Sequence, residues 1–384
     1  MKTLKTTMFV TACMAMMCAC TDPSSLGENQ GSDESNELVE LKINPSIALT
    51  RAAVTGTEGS ALENIAVYST GVSNNYAIYN YNSSWKATGS DKIYLSKDAV
   101  TIFAYYPAYS DSDNSTALTI NTAEPAANPS TSSTINVSLN EGDGSDGDNN
   151  KIYVADNETG SINTTAKDVD YMYAVNGADG ANSTDQPTAS SNADQSSVSL
   201  KMKHAMALVS FKVIKENYNK TGSLTKIVLK NTESNTTLNK GDGQATMNIS
   251  SGNITLGTNA TAATFTRFIY TGTSGSSTAG YTLKENASQS PAFSILTYPN
   301  ETADKSTVIV EVTVDNQIYS VALPNGSNAS PAVADTNPTS TSQVWAAGKN
   351  HLYTLTLKGA DLTISNVTIE SWGTDVPMGD VTLE

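Results

Sequence analysis

Beyond residue 20 this chain contains no cysteine. Cys13, Cys18 and Cys20 all fall in its first twenty residues, so the body can hold neither a disulfide nor a thiolate metal site. Arginine is almost as scarce: only Arg51 and Arg267 occur among 384 residues. Histidine is limited to His204 and His351. A Ser-His-Asp or Cys-His group needs an imidazole within hydrogen-bond reach of its nucleophile. His204 lies inside an alternating apolar run and His351 begins another, positions that read as structural. No G-x-S-x-G, phosphate-binding loop or H-E-x-x-H occurs. After the first twenty residues, long Leu/Ala/Glu/Lys stretches of helical period are also missing. These absences argue against an enzyme and against a bound cofactor, and they leave β-structure as the expected framework. No catalytic, cofactor-binding or metal residue is assigned.

What the chain has in excess is acid. Its 38 Asp and Glu outnumber 22 Lys and Arg, for a net charge of −16. The first 51 residues carry only four basic and six acidic groups, so nearly all of the net charge belongs to the body. Such a surface repels nucleic acid and anionic membranes and suits a self-repelling extracellular protein. The length allows two domains.

The N-terminus reads as a series of processing signals. Lys2 and Lys5 precede an apolar run from Met8 to Ala19, too short to span a bilayer as a helix. It ends in Met17-Cys18-Ala19-Cys20, small residues before a Cys, which resembles the lipobox of bacterial lipoproteins. Cys20 follows Ala and is the expected lipidation site, which implies outer-membrane delivery; Cys18 follows Met. Residues 21–51 form a leader: a polar stretch, then an alternating strand (Val39, Leu41, Ile43, Ile47, Leu49), then Thr50-Arg51-Ala52. With so few arginines in the chain, Arg51 reads as the target of an Arg-specific surface protease that leaves Ala52 as the new start.

Period-2 alternation recurs throughout the body and marks strands with one apolar face. Tyr79, Tyr81 and Trp85 share a parity, as do Ile102, Ala104 and Tyr106. The run Val198, Leu200, Met202, His204, Met206, Leu208 slips to Val209, Phe211, Val213. That slip predicts a β-bulge or a strand passing between sheets. Ile227 and Leu229 mark another strand. Val308-Val310-Val312-Val314 and Tyr319-Val321-Leu323 flank Asp315-Asn316, a hairpin signature. Tyr353-Leu355-Leu357, Leu362-Ile364 and Val367-Ile369 follow. Polar inserts at about 121–150, 176–196 and 326–343 read as loops. The expected architecture is all-β: two β-sandwiches in tandem with long polar loops, residues 52–218 and 219–384, meeting near Asn217 to Ser223.

Two constellations invite a ligand reading. Residues 141–148 (Glu-Gly-Asp-Gly-Ser-Asp-Gly-Asp) are rich enough in carboxylates to suggest calcium, but the spacing departs from the EF-hand order and a solvated loop is the simpler expectation. Tyr79, Tyr81 and Trp85 could stack on sugar rings, although alternate aromatics in a strand more simply pack the core.

Four stretches together resemble the fimbrillin family, the FimA/Mfa-like pilins of type V fimbriae in Gram-negative anaerobes. They are the lipobox with its strand and Leu49-Thr50-Arg51-Ala52; Tyr76-Ala77-Ile78-Tyr79 to Trp85, leading to Val100-Thr101-Ile102-Phe103-Ala104-Tyr105-Tyr106-Pro107; Leu200 to Phe211; and Gly348 to Leu355 with Val367 to Trp372. The resemblance implies transthyretin-like sandwiches and a lipoprotein precursor cut by an Arg-specific protease. It also implies assembly by strand exchange with other pilin subunits and with anchor and tip proteins. Removing the leader strand would open a groove that a donor strand fills. C-terminal strands serve as donors in the family, which points to the tail after Trp372: Val376, Met378, Val381 and Leu383. A shaft pilin at the cell surface, supporting adhesion, is the first expectation. A fimbrial tip adhesin that engages a host or bacterial surface ligand is the alternative, and a glycan-binding surface lipoprotein comes third. An anchor subunit that keeps its lipid remains open.

Overall fold

The computed structural model describes residues 38–47, 62–110, 114–121, 130, 132–142, 144–155, 162–165, 167–175, 192–232, 234–300, 307–323, 333–335 and 345–371. Within them the chain is all-β, with short 3-10 turns and no α-helix. Cys20, Leu49, Arg51, Ala52, Val376, Met378, Val381 and Leu383 lie outside the described residues.

A first seven-stranded sheet runs in the order Lys42–Ile47, Ser197–His204, Met172–Val175, Ile102–Tyr106, Asn64–Ser69, Tyr76–Tyr81, Trp85–Ala87. A six-stranded sheet has the order Ile162–Asn163, Ala292–Thr297, Ala207–Glu216, Lys349–Lys358, Asp361–Ser371, Val333–Asp335. A second seven-stranded sheet is built on Ser276–Ala279, Thr264–Thr273, Ser223–Asn231, Val308–Val314 and Gln317–Ala322. Tyr281–Thr282 pairs with Ser223–Asn231 in that sheet, and Lys151–Val154 pairs with Thr264–Thr273. Small sheets join Val39–Glu40 to Tyr94–Leu95, and Thr134–Asn136 to Thr246–Asn248 and Ile254–Thr255.

Parity decides which of three cores a side chain enters. In the first sheet Ile65, Val67, Ile102 and Ala104 face one core with Leu41, Ile43 and Ile47. Their sequence neighbours Ala66, Tyr68, Phe103 and Tyr105 face the opposite way into a second core. The expected single apolar face is therefore replaced, at Ile102–Tyr106, by burial on both faces, because the sheet is covered on each side. The second core also takes Met247, Leu296 and Tyr298. Residues from both sides of position 218 thus share it. The third core holds Val209, Phe211, Val213, the four valines Val308 to Val314, and Leu355 and Leu357.

The slip at Leu208/Val209 is a passage between sheets, not a bulge. Ser197–His204 belongs to the first sheet, and after Ala205 and Met206 the chain enters the six-stranded sheet as Ala207–Glu216. Leu208 then faces the second core and Val209 the third. A bulge does occur later. Leu362-Ile364 and Val367-Ile369 form one strand in which the pairing steps from Leu355↔Ile364 to Thr354↔Asn366. Ser365 is the extra residue, and it switches the parity. The predicted hairpin forms as read, with Val312 opposite Tyr319 and Val310 opposite Val321. Its turn residues Asp315 and Asn316 have φ of 47° and 63°, the left-handed pair a tight hairpin turn requires.

One expectation changes. Tyr79, Tyr81 and Trp85 do not share a strand. The chain reverses at 82–84, where Ser83 has φ 63°, and Tyr81 pairs with Trp85 across a second hairpin. The turn-forming Asn82-Ser83-Ser84 is the local reason.

Candidate strand-acceptor groove

The leader segment enters the fold at Leu38, which is 58% exposed. Val39 and Glu40 pair antiparallel with Leu95 and Tyr94, and Lys92 Nζ lies 2.7 Å from a Glu40 carboxylate oxygen at the surface. Val39 is half-buried rather than a core residue. At Leu41 the chain changes partners: the Leu41 N–H donates to the Ile93 carbonyl at 2.9 Å and the Lys42 N–H to the Ser196 carbonyl at 2.8 Å. Lys42–Ile47 then runs parallel to Ser197–His204, with Ile43 opposite Val198, Pro45 opposite Leu200 and Ile47 opposite Met202.

Burial along the strand alternates without a break. Leu41, Ile43, Pro45 and Ile47 are buried, while Lys42, Asn44 and Ser46 are exposed. Pro45 is itself an inward-facing residue of the run. In a parallel ladder alternate residues bond to a given neighbour. The Lys42–Ser196 bond puts Lys42, Asn44 and Ser46 on the bonding side, so the main-chain groups of Ile43, Pro45 and Ile47 turn away from Ser197–His204. A proline is tolerated there because its missing N–H faces the sheet edge.

Burying Leu41, Ile43 and Ile47 contributes on the order of 5–9 kcal/mol of hydrophobic stabilisation. Yet among the described residues the strand is the last of its sheet and has one ladder neighbour. The same sheet curves so that its other edge, Trp85–Ala87, approaches the leader strand. Without Lys42–Ile47 the first core would lose one wall, and the edge of Ser197–His204 would stand unpaired.

One side chain of the body bonds the leader's main chain from the far side. The Tyr79 hydroxyl donates to the Leu41 carbonyl at 2.9 Å, in a buried position. Tyr79 is 1% exposed and belongs to the first core. Burial, aided by the Glu40 carboxylate, pushes its phenol well above the ordinary value, so it is a neutral donor. The contact spans 38 residues of sequence, and no local pattern announces it. The aromatics read together from sequence therefore separate: Tyr79 is core, whereas Tyr81 is 41% exposed with its ring 5.6 Å from that of Trp85.

The remaining chemistry-bearing residues are tied into the scaffold. His204 and His351 are buried within strands, and His204 Nδ1 lies 2.7 Å from Asp170 Oδ2. In the acidic loop, Glu141 pairs with Lys240, and Asp146 and Asp148 with Lys151. Arg267 is fully buried. Its guanidinium meets Asp168 Oδ1 at 2.8 Å and the carbonyls of Asn140, Glu141 and Thr266. Burial pushes the Asp168 carboxyl above its ordinary value, against the pull of that guanidinium.

Comparison with known proteins places this architecture. The fimbrillin-like family matches residues 50–372. The chain belongs to the fimbrillin-like family. The matched span begins after the leader strand and stops short of the C-terminal tail. A solved structure described as a candidate cell adhesion protein from Bacteroides ovatus is similar in fold: 16% identity, TM-score 0.52, covering 88% of this chain and 99% of that one. A fimbrial protein from Bacteroides vulgatus shows 16% identity and TM-score 0.48 over 86% of this chain and 99% of that one. A candidate cell adhesion protein from Bacteroides uniformis shows 15% identity and TM-score 0.47 over 87% and 99%. No curated protein matches in sequence. Membership of this family makes the fimbrillin a fimbrial subunit of the cell surface, which associates with other subunits and serves a structural role.

Proposed function

We propose that this fimbrillin is a shaft pilin exported as a lipoprotein on Cys20, cut between Arg51 and Ala52, and polymerised by strand exchange. The cut frees the leader strand. A donor strand from a second copy, the tail carrying Val376, Met378, Val381 and Leu383, takes the vacated groove. Two sandwiches in tandem would then repeat along the fibre, which is completed by anchor and tip proteins.

The observation that carries this reading is the dual nature of Lys42–Ile47: its side chains complete a core, while its backbone occupies a sheet edge. An occupant of that kind can be replaced by another strand of the same parity without rearranging the strands behind it. The second arginine supports the proteolytic step. Arg267 is buried in a strand with its charge paired, so in the folded chain it is shielded from an Arg-specific protease. The exposed Tyr81 ring, set against a Trp85 that is half-buried on the first core, favours a second reading, a tip subunit that uses this place to contact a surface ligand.

Treating purified full-length protein with an arginine-specific endoprotease tests the proposal. A product starting at Ala52 that then forms SDS-resistant ladders is the expected result. A cut chain that stays monomeric would point instead to an anchor or a binding lipoprotein. A cut chain that only caps preformed polymers, or binds glycans through Tyr81 and Trp85, would favour the tip.

A further inference from the structure

We propose that a cavity at the meeting of the second and third cores is a binding site for a single neutral pyranose ring. The site shares no residue with the leader groove, so it stands or falls independently of strand exchange.

The cavity encloses about 260 Å³. Its buried lining combines Leu238, Phe265 and Trp345 of the third core with Tyr298 of the second. Thr297, the last residue of Ala292–Thr297, joins them and is 2% exposed. Thr236 is the exposed residue of the rim. The walls are tied together by main-chain bonds. Asn300 and Trp345 exchange N–H to carbonyl bonds of 2.9 and 3.0 Å, and Asn231 holds Leu238 by both its N–H and its carbonyl. The Asn300 amide donates to the Thr237 carbonyl. Such a site is preformed and need not be organised by its ligand.

The polar inventory selects the ligand. No Asp, Glu, Lys, Arg or His lines the cavity, and the chain carries a net charge of −16, so an anion finds neither a partner nor a favourable field. The Trp345 Nε1–H is spent on the Tyr353 hydroxyl at 3.1 Å, and the Tyr298 hydroxyl on the Val137 carbonyl at 3.0 Å. These two residues therefore offer apolar ring surface. The Thr297 hydroxyl is different: it is buried and has no hydrogen-bond partner among the described residues. Asn239 accepts from the Gly241 and Thr261 N–H groups through Oδ1, which leaves its amide nitrogen to donate. A buried hydroxyl without a partner is costly, and an apolar side chain entering from another subunit would leave it so. A pyranose presents an apolar face to aromatic walls and hydroxyls to Thr297 and Asn239. The volume is that of roughly eight or nine waters at about 30 Å³ each, room for one ring and not for an oligosaccharide.

The experiment is a titration of purified full-length protein with the methyl glycosides of glucose, galactose and mannose, followed by saturation-transfer NMR and thermal unfolding. At least one neutral glycoside is expected to bind with Kd of roughly 1–10 mM, the range for so small a ligand, while glucuronate and sialic acid do not bind. Thr297→Val removes the unpartnered hydroxyl, so its Tm should equal or exceed that of wild type, yet it should bind the sugar about three- to tenfold more weakly. Thr236→Trp, a substitution at the exposed rim, should close the mouth and abolish binding. Tyr81→Ala, which removes the exposed ring of the first sheet, should leave binding unchanged. No binding of any neutral glycoside at about 50 mM, or equal affinity in wild type and Thr236→Trp, would overturn the proposal. Impaired polymerisation of Thr236→Trp, with no sugar bound by wild type, would overturn it in favour of a socket for a neighbouring subunit's side chain.

Discussion

The leader strand Lys42–Ile47 and the crossing strand Ala207–Glu216 are both buried on their apolar faces, yet they are bound to the fold in different ways. The crossing strand has a ladder on each side, antiparallel to Ala292–Thr297 and parallel to Lys349–Lys358, and its side chains enter two cores. Among the described residues the leader strand has one ladder, serves one core, and carries a proline whose missing N–H faces its open edge. Burial measures how much a segment contributes to stability; neighbours on both sides decide whether it can leave. A core residue can therefore belong to a replaceable part.

Substitutions can break this comparison, and the largest effects belong to the fixed part. Arg267→Met leaves Asp168 buried without its cation and is expected to cost about 3–5 kcal/mol in chemical denaturation, whereas changing both partners to apolar residues restores much of it. Phe211→Ala is expected to cost about 3–5 kcal/mol, and the loss should be the same in precursor and assembled protein. Ile43→Ala should cost about 2–4 kcal/mol in the precursor only. Once another strand fills the groove, denaturation midpoints of wild-type and Ile43→Ala polymers should coincide.

A smaller change sharpens the edge argument. Pro45→Val restores an N–H on the open side of the leader strand. It should alter stability by less than about 1 kcal/mol while promoting self-association of the uncut precursor, seen by size-exclusion chromatography, because the edge is no longer blunted. The smallest effect is at the far hairpin. Burial raises the Asp315 carboxyl, but N–H donors from Ser223 and Gly222 outweigh it and hold the group below its ordinary value. A depressed carboxyl adds stability above its unfolded value and loses it as pH falls through the folded one. Asp315→Asn should therefore lower stability slightly at neutrality, where the carboxylate contributes, and flatten the acid side of the stability curve so that the two proteins converge below about pH 4.

Much of this division was legible in the sequence. The alternation from Leu41 to Ile47 gave the inward face of the leader strand, and the four valines with Asp315-Asn316 gave the hairpin, because period and turn chemistry are local. The parity slip at Leu208 announced a change of environment, although not whether the strand bulged or crossed. Contacts set by the fold were not legible. Tyr79 reaches Leu41 across 38 residues, and a strand pattern cannot say which aromatic of a series turns inward when a hairpin intervenes at 82–84. Nor did the periodicity show that Ile102–Tyr106 would be covered on both faces, since Phe103 and Tyr105 are apolar on the side expected to be open.

The central claim is that the groove changes its occupant. Mass analysis of subunits in sheared surface filaments, under native and then denaturing conditions, tests it most directly. The account predicts subunits beginning at Ala52 with no leader peptide retained on them. Filaments whose subunits still begin at lipidated Cys20, or release residues 21–51 only on denaturation, would contradict it.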